Sequence, residues 1–319
     1  MSFSSNVKDE LAEAFSSARH CQIAEIAAML SMDGQIWGAE KGRPVVVLHT
    51  ENLAVAKKYF TLLKKTFNIN AKVSVRRSAF LQKNGIYTIV VTDREEATRI
   101  LDATRMIPLE EPGQWIPGGV LLQKDCCRRN FLRGAYLASG SMSNPEKGYH
   151  FEIACTARRK AEQLQEVLSS FGVEAKIILR KKYHVLYVKE GDQIVDILGI
   201  MSAHVALMEL ENIRILKGMR ESVNRQVNCE TANLSKTTSA AFEQINDIQL
   251  IQQKMGLDSL PEALRETAQT RLNYPDVSLK ELGGLLDPPV GKSGVNHRLR
   301  KLKEIADSLR VNEEDVTTC

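Results

Sequence analysis

FLRGAYLASGSM (residues 131–142) decides how this 319-residue chain is read. Small residues recur in it at Gly134, Ala135, Ala138 and Gly140, between the large apolar Phe131, Leu132, Tyr136 and Leu137. That pattern describes a helix whose one side admits another backbone at close range and which ends at a glycine. The same pattern occurs earlier: IAAMLSMDG (26–34) lies over LRGAYLASG (132–140) at an offset of 106. The first copy ends in Asp33-Gly34, the second in Ser139-Gly140.

Working outward, the likeness extends into a repeat. KTFNINAKVSV (65–75) aligns with SSFGVEAKIIL (169–179) through Phe67/Phe171, Ala71/Ala175 and Lys72/Lys176. The offset there is 104, so a small loop insertion separates the two alignments. Before each segment lie a strand-like run (VVVLHT, 45–50; HFEIAC, 150–155) and an apolar helical pattern. After each come two strands and another helix. The reading is two α-β-α-β-β-α repeats, about 20–105 and 126–205, within an α+β domain of pseudo-twofold symmetry spanning 1–225. IPLEEPGQWIPGG (107–119), with three prolines and three glycines, reads as the loop between them.

The C-terminal part follows a different plan. A helical stretch from Val205 to about Gln226 leads into NCETANLSKTTS (228–239), which is polar and lacks an apolar stripe. Residues 226–239 are read as a linker, with an ordered capping loop as the alternative. From Ala240 the pattern is wholly helical, with Phe242, Ile245, Ile248 and Ile251 near a helical period. Pro261 opens another helix. Ser278-x-x-Glu281 has capping-box spacing ahead of Leu279, Leu282, Leu285 and Leu286, and DPPVG (287–291) ends that short helix. A last helix runs from Lys292 to about Leu309. Short helix, tight turn and basic helix make a helix-turn-helix domain over 240–319.

The last helix carries the candidate site. Val295, Leu299, Leu302 and Ala306 form its inner stripe. Positions 289–303 hold Lys292, Arg298, Arg300, Lys301 and Lys303 with no acid, a local positive field that the overall charge of +4 conceals. Asn pairs bidentately with adenine and Arg with guanine, so Asn296 and Arg300, with Ser293 and His297, are candidate base readers. Lys292, Arg298, Lys301 and Lys303 are candidate phosphate contacts on double-stranded DNA. Arg180, Lys181 and Lys182, at a strand end in the second repeat, form a candidate secondary DNA surface.

Other classes of function find little support. The six cysteines, Cys21, Cys126, Cys127, Cys155, Cys229 and Cys319, include no C-x-x-C pair and no histidine at zinc-finger spacing. They read as free thiols of a reducing cytoplasm, with no metal site expected. MSFSSNVKDELAEAF is too charged for a signal peptide, and no run is long and apolar enough to span a bilayer. G-x-S-x-G and glycine-rich phosphate loops are absent, and the histidines show no triad spacing, so neither catalytic residues nor a cofactor are expected.

The paired helices resemble the LAGLIDADG motif of homing endonucleases: Ala27, Asp33 and Gly34 match it in one copy, and Leu132, Gly134, Ala138 and Gly140 in the other. In those enzymes an acid near the end of each helix binds a divalent metal. A hydroxyl at Ser139 cannot replace a carboxylate around so hard an ion. The resemblance therefore implies a retained scaffold without cleavage. Across nearly the whole chain the sequence also resembles the WhiA family of Gram-positive bacteria. The resemblance rests on SFSSNVKDELA, CCRRNFLRGAYLASGSMSNPEKGYHFEI, NRQVNCETANLSKT and SLKELGGLLDPPVGKSGVNHRLRKL. It implies a degenerate LAGLIDADG-type domain joined to a helix-turn-helix, and a nucleoid-associated regulator tied to cell division, chromosome segregation and, in spore formers, sporulation. Two alternative readings stay open: a divergent metal-dependent endonuclease, and a protein-binding scaffold whose N-terminal domain holds a transcription or cell-division protein. Gly283-Gly284 is expected to soften the first helix of the DNA-reading pair.

Overall fold

In the computed structural model two helices, α2 (Arg19–Asp33) and α5 (Asp125–Ser139), lie against each other at the centre of the first unit, residues 1–217. The structure describes residues 2–39, 42–77, 85–111 and 113–316, with side chains at 77 and beyond 310 outside the description. Pro112 of the loop reading, the Arg77 side chain and Cys319 therefore fall outside it.

The small residues do what their spacing suggests. Ala27, Ala28 and Ala135 are fully buried. A Cβ on Gly134 would stand 2.5 Å from the Glu25 carbonyl oxygen and 2.9 Å from the Ala28 Cβ, so only glycine permits this approach. Arg133, in the same helix, donates to the carbonyls of Met201 (2.9 Å) and Ala14 (3.2 Å), tying α5 to its surroundings.

Each central helix begins one repeat. The first continues through β1 (Gly34–Trp37), β2 (Val45–Thr50), α3 (Leu53–Phe67), β3 (Lys72–Arg77), β4 (Gly85–Val91) and α4 (Arg94–Thr104). After α5, the second runs through β7 (Gly140–Met142), β8 (Phe151–Cys155), α6 (Arg158–Ser169), β9 (Lys176–Arg180), β10 (Tyr183–Val188) and α7 (Gly191–Met201). The sheets share one antiparallel order, β1-β2-β4-β3 and β7-β8-β10-β9. Each repeat has one strand more than the sequence suggested. β1 and β7 are only four and three residues long and start at the glycines that cap the central helices, too short for a period-2 signal. Local chemistry sets the helix starts: Asn52 accepts from the amides of Ala54 and Val55, and Asp93 from that of Glu96. Inward residues such as Leu48, Ile89, Ile153 and Leu186 share one core with the helices and with α1 (Phe3–Glu13). Within 107–119, read as loop, β5 (Met106–Pro108) pairs with β6 (Trp115–Pro117).

Residues 226–239, read as a linker, are helical instead. They lie within α8 (His204–Lys254), inside which the division between the two units falls, at Lys217/Gly218. From Gly218 to Ala240 every residue is exposed, and within 228–239 Leu234 is the one large aliphatic residue, so no apolar stripe marks the helix there. Local bonds such as Thr237 to the Asn233 carbonyl and Gln226 to Glu230 accompany a helix that is solvated all round.

The second unit, 218–319, packs the end of α8 with α9 (Glu262–Asn273), α10 (Leu279–Gly284) and α11 (Lys292–Val316). Its core joins Ile248, Ile251, Leu264, Ala268, Leu282, Leu286, Val295, Leu299, Leu302 and Ala306. Phe242, expected in the stripe, is exposed, and Ala241 is buried in its place. The buried face of α8 is set by Ile248 and Ile251, and counting back in helical steps reaches 241 and 244 rather than 242.

Candidate nucleic-acid interface

The turn between α10 and α11 is built residue by residue. Ser278 accepts from the Glu281 amide while the Glu281 carboxylate accepts from the Ser278 amide, completing the capping box. Gly283, expected to soften this helix, also meets a packing requirement. A Cβ there would lie 2.0 Å from the Val290 carbonyl oxygen and 3.0 Å from the Val295 side chain. The Val290 amide also donates to the Gly283 carbonyl at 2.9 Å. Glycine at this position lets the chain fold back tightly enough to start α11 against α10.

Behind the pair stands Arg271, 1% exposed. Its guanidinium donates to Gln244 Oε1 (2.9 and 3.0 Å), to the Val277 carbonyl (2.7 Å) and to the Pro275 carbonyl (3.4 Å). It thereby fixes the loop before α10 to α8 and α9. Its role was missed in the sequence because an arginine ending a polar helix looks like a solvated residue.

On α11 the apolar stripe faces the core. Lys292, Ser293, Asn296, His297, Arg300, Lys301 and Lys303 are all exposed. Ser293, His297, Arg300 and Lys301 lie opposite the stripe. Asn296, Arg300 and Lys303 border a shallow groove shared with Glu243, Gln244 and Asp247 of α8, and Lys303 stands 3.9 Å from Glu243. Arg298 departs from the expected set. Its guanidinium turns toward α9, donating to the Ala263 carbonyl and Thr267 Oγ1, 3.8 Å from the Glu266 carboxylate. In this position it braces the helix pair, with one guanidinium nitrogen committed to α9.

In the first unit, Arg180 ends β9 and Lys181-Lys182 form the turn into β10. All three are exposed, although Arg180 lies 3.2 Å from Glu152 and Lys182 sits over the Tyr183 ring. The consecutive basic residues Arg158, Arg159 and Lys160 divide: Lys160 is buried. Its ammonium donates to the Ser31 carbonyl, to Gln114 Oε1 (2.6 Å) and to Thr156 Oγ1 (3.1 Å).

Asp33 and Ser139 end the two central helices, as their alignment implies. Burial pushes the Asp33 carboxyl up to about 6, against the opposing pull of Lys8 and Lys160. Ser139 Oγ is buried with no hydrogen-bond partner among the described residues. A divalent ion needs several anionic oxygens here. Instead it would meet one carboxylate that burial inclines toward its proton, one hydroxyl and two ammonium groups. These residues do not fit the metal of the homing endonucleases.

The fold and the helix pair define the class: a pseudo-symmetric LAGLIDADG-like domain followed by a helix-turn-helix domain. Three family models match in succession, the WhiA N-terminal LAGLIDADG-like domain over residues 19–107, the WhiA LAGLIDADG-like domain over 128–220 and the WhiA C-terminal HTH domain over 223–306. The chain belongs to the WhiA family. It is 51% identical to the "Probable cell division protein WhiA" of Lachnoclostridium phytofermentans, over 97% of this chain and all of that one. It is 50% identical to the protein of the same description from Alkaliphilus oremlandii, over 97% and 98% of the two chains. Among solved structures, full-length DUF199/WhiA from Thermatoga maritima matches with a TM-score of 0.58 at 27% identity, covering 97% of this chain and 99% of that one.

Proposed function

We propose that this chain is a DNA-binding protein of bacterial cell division, in which α11 reads double-stranded DNA and the first unit is a scaffold without nuclease activity. One observation carries the proposal: the outer face of α11 is exposed, basic and free of acid through Lys303, above an inner stripe fully packed into the second unit. Ser293, Asn296, His297 and Arg300 would address base edges, and Lys292, Lys301 and Lys303 phosphates. The relatives' description as probable cell division proteins supports the cellular setting. Transcription regulation, chromosome segregation, sporulation in spore formers and a place on the nucleoid belong to the same proposal and rest on family resemblance. The first unit would hold DNA through Arg180, Lys181 and Lys182, or a transcription or cell-division protein. Among the described residues no helix is long and apolar enough to cross a membrane.

The test is DNA affinity of the full chain across a salt series, with Mg²⁺ present and the DNA inspected for nicks. Affinity should fall steeply with salt, and Arg300→Ala should cost about 1–3 kcal/mol on the preferred sequence. Salt-independent binding, or an unaffected Arg300→Ala variant, would remove α11 as the reader. Mg²⁺-dependent nicking would instead favour a divergent endonuclease.

A further inference from the structure

Four ligand-type side chains meet at the other end of the central helix pair. His20 and Cys21 lie at the start of α2, Cys126 and Cys127 at the start of α5. One ligand atom from each lies within 4.8 Å of all the others. His20 Nδ1 is 3.2 Å from Cys127 Sγ and 3.4 Å from Cys21 Sγ. None of the four thiol or imidazole groups is committed to a disulfide. We propose that His20, Cys21, Cys126 and Cys127 form a closed zinc site that clamps the N-terminal ends of α2 and α5.

Symmetry explains how the site arises. Positions 20 and 126, and 21 and 127, are separated by 106, the offset that aligns Gly34 with Gly140. Each pair therefore occupies equivalent places in the two repeats, and the pseudo-twofold relation that brings the helices together also brings these side chains to one point. No local spacing rule detects such a site, because each repeat supplies only two adjacent ligands.

The chemistry selects the metal. Three thiolates and one imidazole form a soft, four-donor set, which suits tetrahedral Zn²⁺ over Mg²⁺ or Ca²⁺. Ligand atoms about 2.0–2.3 Å from a central ion stand roughly 3.4–3.8 Å from one another. The His20 contacts already lie near that separation. Three thiolates around Zn²⁺ leave one net negative charge, placed at the N-termini of two 15-residue helices, where the backbone dipoles favour it. With all four positions taken by protein, the site would be structural. Cys21 and Cys127 are buried while His20 and Cys126 are exposed, so the ion would enter from the solvent side.

The experiment uses the full chain purified reduced and without chelator. Zinc per chain is measured directly, and the chelated protein is then titrated with Co²⁺, whose thiolate charge-transfer and tetrahedral d–d absorption report the donor set. The expected result is one metal per chain. Both signals should be lost or weakened at least tenfold in affinity in Cys126→Ser and in His20→Gln, and retained in Cys229→Ser, an exposed thiol on α8. The two test positions are exposed, so their replacement leaves the core intact, and tryptophan emission checks that it does. A chain that binds no stoichiometric zinc and shows no tetrahedral thiolate spectrum with Co²⁺ would overturn the proposal. So would a spectrum that Cys126→Ser and His20→Gln leave unchanged.

Discussion

Gly134→Ala tests whether the closeness of α2 and α5 holds the first unit together. In a helix interior this change ordinarily stabilises, by about 0.8–1 kcal/mol of backbone propensity. Here the new Cβ would sit 2.5 Å from the Glu25 carbonyl oxygen and 2.9 Å from the Ala28 Cβ. The first atom is backbone and cannot rotate away. The helices must part by about half an ångström before the contact reaches even 3.0 Å, and a radial gap of that size forfeits about a quarter of each dispersion contact along the seam. Overpacking of this kind costs about 1–3 kcal/mol, so after the propensity gain the net loss is about 0–2 kcal/mol, against a gain in an uncrowded helix. Gly199→Ala in α7 is the internal control. Its Cβ would meet nothing nearer than Leu207 Cδ1 at 3.5 Å, and it should be neutral or stabilising by up to about 1 kcal/mol. Both tryptophans, Trp37 and Trp115, belong to the first unit, so urea unfolding followed by their emission isolates it from the helix-turn-helix. A Gly134→Ala chain as stable as Gly199→Ala would refute the tight seam.

Four further outcomes follow from the described contacts. Asp33 has its carboxyl raised from 3.8 to about 6 by burial, so the fold favours its protonated form. The resulting destabilisation is absent below about pH 4 and complete above about pH 6, reaching at most about 3 kcal/mol before allowance for the groove it borders. Asp33→Asn should therefore stabilise the first unit at pH 7.5 and not at pH 4, and equal effects at both would contradict this. Arg271→Met leaves the Val277 carbonyl and Gln244 without their donor and should lower the stability of the second unit by about 3 kcal/mol, measured by hydrogen exchange in α9–α11. Lys301→Ala should reduce the salt dependence of DNA binding by about one counterion without changing stability. Arg298→Ala should do the reverse, because its guanidinium is held by Ala263, Thr267 and Glu266.

Much of this architecture was legible in the order of residues, for physical reasons that also mark the boundary. The duplicated small-residue helices were visible because close backbone approach admits only Gly and Ala, which leaves a signature at fixed spacing. The inner stripe of α11 was visible because a helix buried on one face must repeat every three to four residues. What depended on position in space was not visible. Arg298 and Lys301 are both cations on one helix, and only the place of α9 turns one inward. Lys160 sits in a run of three basic residues, yet Ser31, Gln114 and Thr156 enclose it. The helicity of 226–239 escaped because solvation on every side leaves no periodicity to read.

The two ends of the α2–α5 seam carry different chemistry, and the difference bears on what the first unit does. At the C-terminal end, Asp33 faces a hydroxyl at Ser139 where a second carboxylate would be needed, and Lys8 and Lys160 supply positive charge where a cation would have to bind. Either feature alone would weaken a metal-dependent nuclease, and both lower the affinity of the helix ends for a divalent ion. At the same time the elements that make the seam tight, Gly134, Ala28 and the buried core around them, are intact. Tight packing beside an incompatible site is the pattern expected where the rigid two-helix platform is what function requires. That accords with the proposal that the first unit presents a surface, to DNA or to a protein, and leaves the reading of sequence to α11.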